Sequence, residues 1–316
     1  MDAEKTMGRY IKLIGICALA LSAMPAVAAT HFVVVGGLGG EPDYAERFAQ
    51  EAEDLAETAT ATVGAEQVAL LQGAGATKQA LEKRLTGLVT AAKADDAVVV
   101  YLIGHGTFDG TDYKFNIPGP DITAARLAQL LDNIPAKRQL VVNMTSCSGA
   151  MLEAPEQKAG RIVITATKNG RERNATVFSR YWTSAFEDAE ADLDKDESIT
   201  VQEAYDYAVG KVDTFYKSAQ RLSTEHARME GPGPETFLLA RLGKNAALAQ
   251  DPKLAPLFKK REELRMSIDA LKLRRDGMDE NSYFDQLQAI LLELATVDIQ
   301  IEKAQGNPGG GTPPQQ

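Results

Sequence analysis

The sequence predicts an α/β fold: a three-layer sandwich in which a mainly parallel sheet lies between two layers of helices, followed by a C-terminal α-helical hairpin. Three observations predict it. Continuous apolar runs at residues 32–35, 97–103, 140–143 and 161–165 read as strands buried on both faces, since half-exposed strands would alternate. Helical segments separate these runs, as crossovers between parallel strands require. Beyond about residue 245, apolar residues recur at helical spacing in two blocks broken by Asp276-Gly277. A chain of 316 residues that is 44% hydrophobic and 25% charged can fill such a core.

The first residues stand apart. Lys5, Arg9 and Lys12 precede an apolar segment at residues 13–21, then Pro25 and the small-residue triplet Ala26-Val27-Ala28. This is the layout of a secretory signal peptide over residues 1–28, with cleavage expected near Ala28; Met7 offers a second start with the same layout. The apolar segment falls short of the roughly 20 residues that span a bilayer. Cys17 lies in mid-segment behind Ile16, which does not suit a lipid anchor. The mature chain is therefore expected to be secreted or periplasmic, with no stable membrane anchor. Of the two cysteines, Cys17 leaves with the leader, so the mature chain keeps Cys147 and can form no internal disulfide. An unpaired thiol is either a small buried hydrophobe or a reactive group. The formal charge of −10 becomes −11 once the leader, with three positive and two negative groups, is removed. Nucleic acid is thereby disfavoured as a partner.

In chain order, the run at 32–35 ends in Gly36-Gly-Leu-Gly-Gly40, which permits a sharp turn. From Asp43 to about Thr58, Phe48, Ala52 and Leu55 mark the inner face of an amphipathic helix. A short strand is expected at residues 68–71 and a helix from Thr77 to Ala92, with Thr77 and Glu82 placed for its start. The strand at 97–103, a helix near residues 123–131 and the strands at 140–143 and 161–165 complete the sheet. After Phe178 the chain reads as mostly helical. Leu257, Leu264, Ile268 and Leu271 form one helical face. Tyr283, Leu287, Ile290, Leu294, Val297 and Ile301 then step by four and three, a seven-residue pattern. The expected organisation is thus a signal peptide at 1–28, a main α/β domain at 29–244, a helical hairpin at 245–305 and a disordered tail at 306–316. The hairpin either packs on the main domain or offers a surface to a protein partner.

His105-Gly106 follows directly on the strand at 97–103. Cys147 follows the strand at 140–143, among the small residues Thr145, Ser146, Ser148 and Gly149. Ligands collect at the carboxyl ends of parallel strands, so thiol and imidazole are expected at one rim. A thiol near pKa 8.5 is only a few per cent ionised at neutral pH, and a neighbouring imidazolium raises the thiolate fraction or protonates a departing amine. The N–H groups of Gly106 and Cys147 are candidates to bind the developing oxyanion.

A hydrophobic strand, His-Gly, and a second hydrophobic strand running into Ser-Cys-Ser-Gly resemble the His-Gly and Cys blocks of the caspase/legumain superfamily of cysteine peptidases (clan CD), nearest the legumain branch, over roughly residues 32–186. The resemblance implies a caspase-like sandwich, His105 as general acid/base, Cys147 as nucleophile, Gly106 as an oxyanion donor and a peptide or protein as substrate, with no cofactor needed for the chemistry. One departure stands out. Family members commonly carry one further residue between Cys and Ser-Gly, whereas Ser148-Gly149 follows Cys147 at once. No pocket residue is assigned: Arg171 and Arg173 could face an acidic side chain, but surface arginines are more often only solvated. Residues 153–159 form a stretch suited to self-cleavage, which intact mass after incubation would reveal.

A second constellation lies at residues 192–203. Asp192, Asp194, Asp196, Ser198, Thr200 and Glu203 stand at the positions that supply oxygen ligands in an EF-hand loop, so a structural calcium is expected there. The usual Gly of the sharp turn is Glu197, for which positive φ is costly. The competing view is an acidic first turn for a helix beginning near Thr200. Other classes fail: the Gly36–Gly40 run meets Pro42 where a dinucleotide fingerprint needs a small residue, and no Gly-x-Ser-x-Gly elbow occurs. Asn143-Met-Thr145 and Asn174-Ala-Thr176 match the glycosylation pattern and are discounted, the first because it falls in a strand. The remaining alternative to a peptidase is a non-catalytic caspase-like scaffold in the periplasm.

Overall fold

A computed structural model describes residues 29–153 and 161–304. The expected signal peptide, most of the self-cleavage stretch and the expected tail lie outside the described residues. The elements run β1 (Thr30–Gly36), α1 (Pro42–Val63), β2 (Val68–Leu71), α2 (Lys78–Ala91), β3 (Ala97–Ile103), β4 (Gly106–Phe108), β5 (Tyr113–Phe115), β6 (Ile122–Thr123), α3 (Ala124–Asp132), β7 (Arg138–Asn143) and β8 (Arg161–Thr165). They continue as α4 (Phe178–Ser184), β9 (Ser198–Thr200), α5 (Val201–Ser218), β10 (Arg228–Glu230), β11 (Leu238–Arg241), α6 (Gly243–Gln250), α7 (Ala255–Leu273) and α8 (Glu280–Ala304).

The central sheet has six strands in the order β10-β8-β7-β3-β1-β2, parallel throughout except for β10, which pairs antiparallel to β8 at one edge. Its strands are apolar on both faces because both faces are covered. On one side Phe32, Val99, Tyr101, Leu140 and Ile164 pack against Phe48 and Leu55 of α1, Trp182 of α4 and Ala204 and Ala208 of α5. On the other, Val33, Val100, Leu102 and Val141 pack against Leu81, Leu85 and Leu88 of α2 and Leu127 and Leu131 of α3. Each fully buried Val, Leu, Ile or Phe among them contributes about 1.5–3 kcal/mol of transfer free energy.

Local chemistry sets the helix bounds. Thr77 caps α2 by accepting from the Ala80 N–H, but Glu82 pairs with Arg126 at 2.7 Å and takes no part in that cap. The helix α1 runs past Thr58 to Val63, where Gly64 turns the chain with φ 90°. Thr200 and Glu203 form a capping box on α5. At the C-terminal end, α7 and α8 pack through Phe258, Leu264, Val297 and Ile301. The pairs Lys260–Glu293 and Arg261–Asp298 run along their antiparallel seam. The same α7 reaches both sheets: Glu262 lies 3.5 Å from Arg138 of β7 and 3.2 Å from Arg241 of β11. Among the described residues no helix is long and apolar enough to cross a membrane.

The stretch after Phe178 holds three strands that the sequence reading took as helix or loop. Short strands β9 and β11 pair with each other, and β10 extends the main sheet. Each has only three or four residues, too few to show a period.

Candidate active site

The strands β3 and β7 are parallel neighbours, with Leu102 opposite Asn143. Their carboxyl ends therefore deliver His105 and Cys147 to the same rim of the sheet. This adjacency follows from the sequence, since the chain between them is one crossover containing α3.

His105 is half-buried between Tyr44 and Phe48, whose rings meet it edge-on at 5.2 Å each. Its Nε2 lies 3.0 Å from the Gly39 carbonyl, so the neutral ring donates there and leaves Nδ1 as the lone-pair nitrogen. Burial lowers the imidazole below the ordinary His value, with the nearby Arg47 guanidinium acting in the same direction and the Gly39 carbonyl opposing. The loop that brings Gly39 in can close only on glycine: a Cβ there would sit 2.2 Å from the Ala45 nitrogen.

Cys147 is 3% exposed and belongs to the cluster under α2 and α3. Burial pushes its thiol above the ordinary range, against the pull of Arg173 and the Phe108 N–H. Its backbone takes the left-handed conformation, φ 58°. That strain at a non-glycine residue costs of order 1 kcal/mol or more and is typical of functional turns. No hydrogen bond joins Cys147 to His105 among the described residues.

Both N–H groups assigned to the oxyanion are already engaged. The Cys147 N–H donates to the Glu172 carbonyl at 2.8 Å, and the Gly106 N–H donates to Ser146 Oγ at 3.2 Å. Ser146 Oγ in turn donates to the Gly106 carbonyl at 3.0 Å. In this arrangement neither N–H is free for a ligand.

The residues that hold these contacts are ones the sequence reading passed over. Glu172 anchors its own loop: its carboxylate accepts from the Lys168 N–H at 2.9 Å and the His226 N–H at 3.1 Å, and His226 Nδ1 lies 2.6 Å away. His226 thus stands beside the rim. Below Cys147, Tyr113, Asn143 and Thr145 form a buried network, with Tyr113 Oη 2.6 Å from Thr145 Oγ1 and 3.1 Å from Asn143 Oδ1. Asn143, the first of the discounted glycosylation matches, is fully buried. No spacing rule links Glu172 to His226 or Tyr113 to Asn143; only the sheet brings them together.

Gly106 sits in a tight part of the rim. A Cβ there would fall 2.5 Å from the Ser146 carbonyl and 2.6 Å from Thr145 Oγ1. Gly106→Ala is therefore expected to cost about 1–3 kcal/mol of stability, read by urea denaturation. An unchanged midpoint would show that β4 yields freely.

The model of the peptidase C13 family matches residues 51–229, more than half of the chain, and takes in both His105 and Cys147. The chain belongs to the peptidase C13 family. This is the legumain family of the caspase-like clan CD, as the His-Gly and Cys blocks suggested. Among solved structures, the C13 chain is similar to protein GSU0716 from Geobacter sulfurreducens, at 12% identity and a TM-score of 0.47, over 68% of this chain and 97% of that one. No curated protein matches it.

The acidic loop of this C13 chain has the outline of a cation site and internal partners as well. Asp192, Asp194 and Asp196 each offer a carboxylate oxygen, all within 4.8 Å of one another. Glu197 adopts φ 57°, so the left-handed turn forms without glycine. Burial, then Asp196 and Glu203, raise the Asp194 carboxyl. Yet Arg265 of α7 pairs with Asp196, and Arg261 donates to Ser198 Oγ at 3.1 Å. Glu203 accepts from Leu193 N–H, Thr200 N–H and Thr200 Oγ1. Three carboxylates fit a hard cation; Glu203 is occupied by the helix cap.

Proposed function

We propose that this C13 chain is an exported cysteine endopeptidase that cleaves peptide bonds through Cys147 and His105. The observation that carries this reading is the placement of both residues at the carboxyl ends of adjacent parallel strands β3 and β7. The Cys147 thiol attacks the scissile carbonyl while its proton passes to His105 Nδ1. The tetrahedral intermediate collapses as His105 returns that proton to the leaving amine, and water then hydrolyses the acyl-thioester. With the thiol raised and the imidazole lowered, the resting pair is neutral, so proton transfer accompanies attack. The Cys147 and Gly106 N–H groups serve as oxyanion donors once the Glu172 carbonyl and Ser146 Oγ withdraw. Electrophilic peptide probes test this: labelling is expected to need both Cys147 and His105.

The engaged donors and the buried thiol favour a second reading, a non-catalytic scaffold with the same fold. In that case Cys147 stays inert in folded protein, and a partner would meet the C-terminal hairpin, where α8 exposes Phe284, Leu291, Leu292 and Ile299.

Calcium is proposed as a structural brace within the 192–203 loop, held by Asp192, Asp194 and Asp196, and takes no part in the chemistry. Calcium at 100 times its Kd is expected to add about 2.7 kcal/mol of stability, reversed by chelator. A melting curve indifferent to calcium would assign the loop to Arg265 and the helix cap.

A further inference from the structure

The chain contains a buried carboxylate aimed at the backbone nitrogen where the leader is expected to end. Asp96, in the turn between α2 and β3, is 4% exposed. Its Oδ1 accepts from the Ala29 N–H at 2.8 Å and its Oδ2 from the Lys93 N–H at 2.8 Å. His31 Nε2 lies 3.6 Å from Oδ2. Ala29 is itself pinned one residue before β1, its carbonyl accepting from the Ala97 N–H at 2.8 Å. Burial alone would raise the Asp96 carboxyl, but the Ala29 and Lys93 N–H groups and His31 hold it below the ordinary range, so it is a carboxylate at neutral pH.

We infer that the mature chain begins at Ala29 and that its new α-ammonium docks on Asp96. Cleavage by a signal peptidase adds water across the Ala28–Ala29 bond: Ala28 leaves as a carboxylate and the Ala29 nitrogen becomes an ammonium. One neutral N–H facing a buried carboxylate is thereby replaced by a full positive charge with three donors, and charge-assisted bonds are about twice as strong as neutral ones. The exchange also compensates a charge that is costly to bury without a cation. The site has room for the remaining protons to reach water, because Ala29, Thr30 and Asp95 line an open cavity of about 390 Å³ that reaches across to Arg138 and Glu262. The geometry chooses between two cleavage points the leader allows. Ala26-Val27-Ala28 and Val27-Ala28-Ala29 both end in a small residue. Only the first leaves a nitrogen at position 29, within reach of Asp96.

The full chain, exported with its own leader, is purified and its N-terminus sequenced; Ala29 is expected, and Thr30 or any other start overturns the inference. The mature protein is then compared with the same protein carrying one added glycine before Ala29, each with Asp96 and with Asp96→Asn. The glycine is expected to lower Tm by about 2–4 °C when Asp96 is present, the shift a bond of this class produces in a chain of this size. The gap is expected to close in Asp96→Asn, and equal melting with and without glycine overturns the inference. Should Asp96→Asn fail to fold, acylation of the α-amine decides: the Ala29 amine is expected to react more slowly than the glycine amine, and equal rates refute the docking.

Discussion

If the proposed dyad operates, replacing His105 by Asn is expected to lower kcat/KM on a cleavable peptide by about 10²–10⁴, the usual contribution of a positioned general base. The pH profile should change with it. Burial lowers the His105 imidazole. The wild-type rate therefore rises with pH through a value below the ordinary His value as that ring loses its proton, and is level by neutral pH. Burial raises the Cys147 thiol. Without His105, the residual rate must follow thiolate alone and keep climbing into the alkaline range beyond the ordinary thiol value. A His105→Asn enzyme with the wild-type profile would remove His105 from the chemistry. Melting curves of both proteins check that the Tyr44–His105–Phe48 stack is not the cause of the loss.

Glu172→Ala should raise the reactivity of Cys147. The Glu172 carbonyl occupies the Cys147 N–H, and the Glu172 carboxylate fastens that loop through Lys168 and His226. Hydrogen bonds to a charged group are each worth about 1.5–3 kcal/mol, so removing the carboxylate favours an open loop by at least roughly one such bond. That corresponds to about a tenfold or greater gain in probe labelling at neutral pH. Slower labelling in Glu172→Ala would mean that the loop arranges the site for reaction.

The sheet was legible because its strands are continuous apolar runs. Residues 97–103 and 161–165 form β3 and β8 to the residue, and the strands flanking α3 are neighbours as expected. The small sheet of β4, β5 and β6 was not legible. Its strands have two or three residues each, and Asp109-Gly110 marks a turn without saying what it joins. The antiparallel β10 carries a single apolar residue, Met229, between Arg228 and Glu230, too little to read as a strand. At the site, the order His-Gly then Cys was readable, since each residue ends a recognisable strand. The closure of that site was not. It depends on the Glu172 carbonyl, and a backbone oxygen has no signature in sequence. It depends too on His226, which reaches Glu172 only because β10 folds back beside β8.

The most direct test of the peptidase reading is labelling of the purified mature protein with a library of electrophilic peptides, followed by intact mass and peptide mapping. Wild type, Cys147→Ala and His105→Ala are compared, each with and without calcium. The account predicts one adduct on Cys147 in wild type, none in Cys147→Ala and a strongly slowed reaction in His105→Ala, with the preferred peptide revealing the cleavage site. A folded wild-type protein whose Cys147 stays unlabelled under both conditions would contradict it and leave the C13 chain as a scaffold.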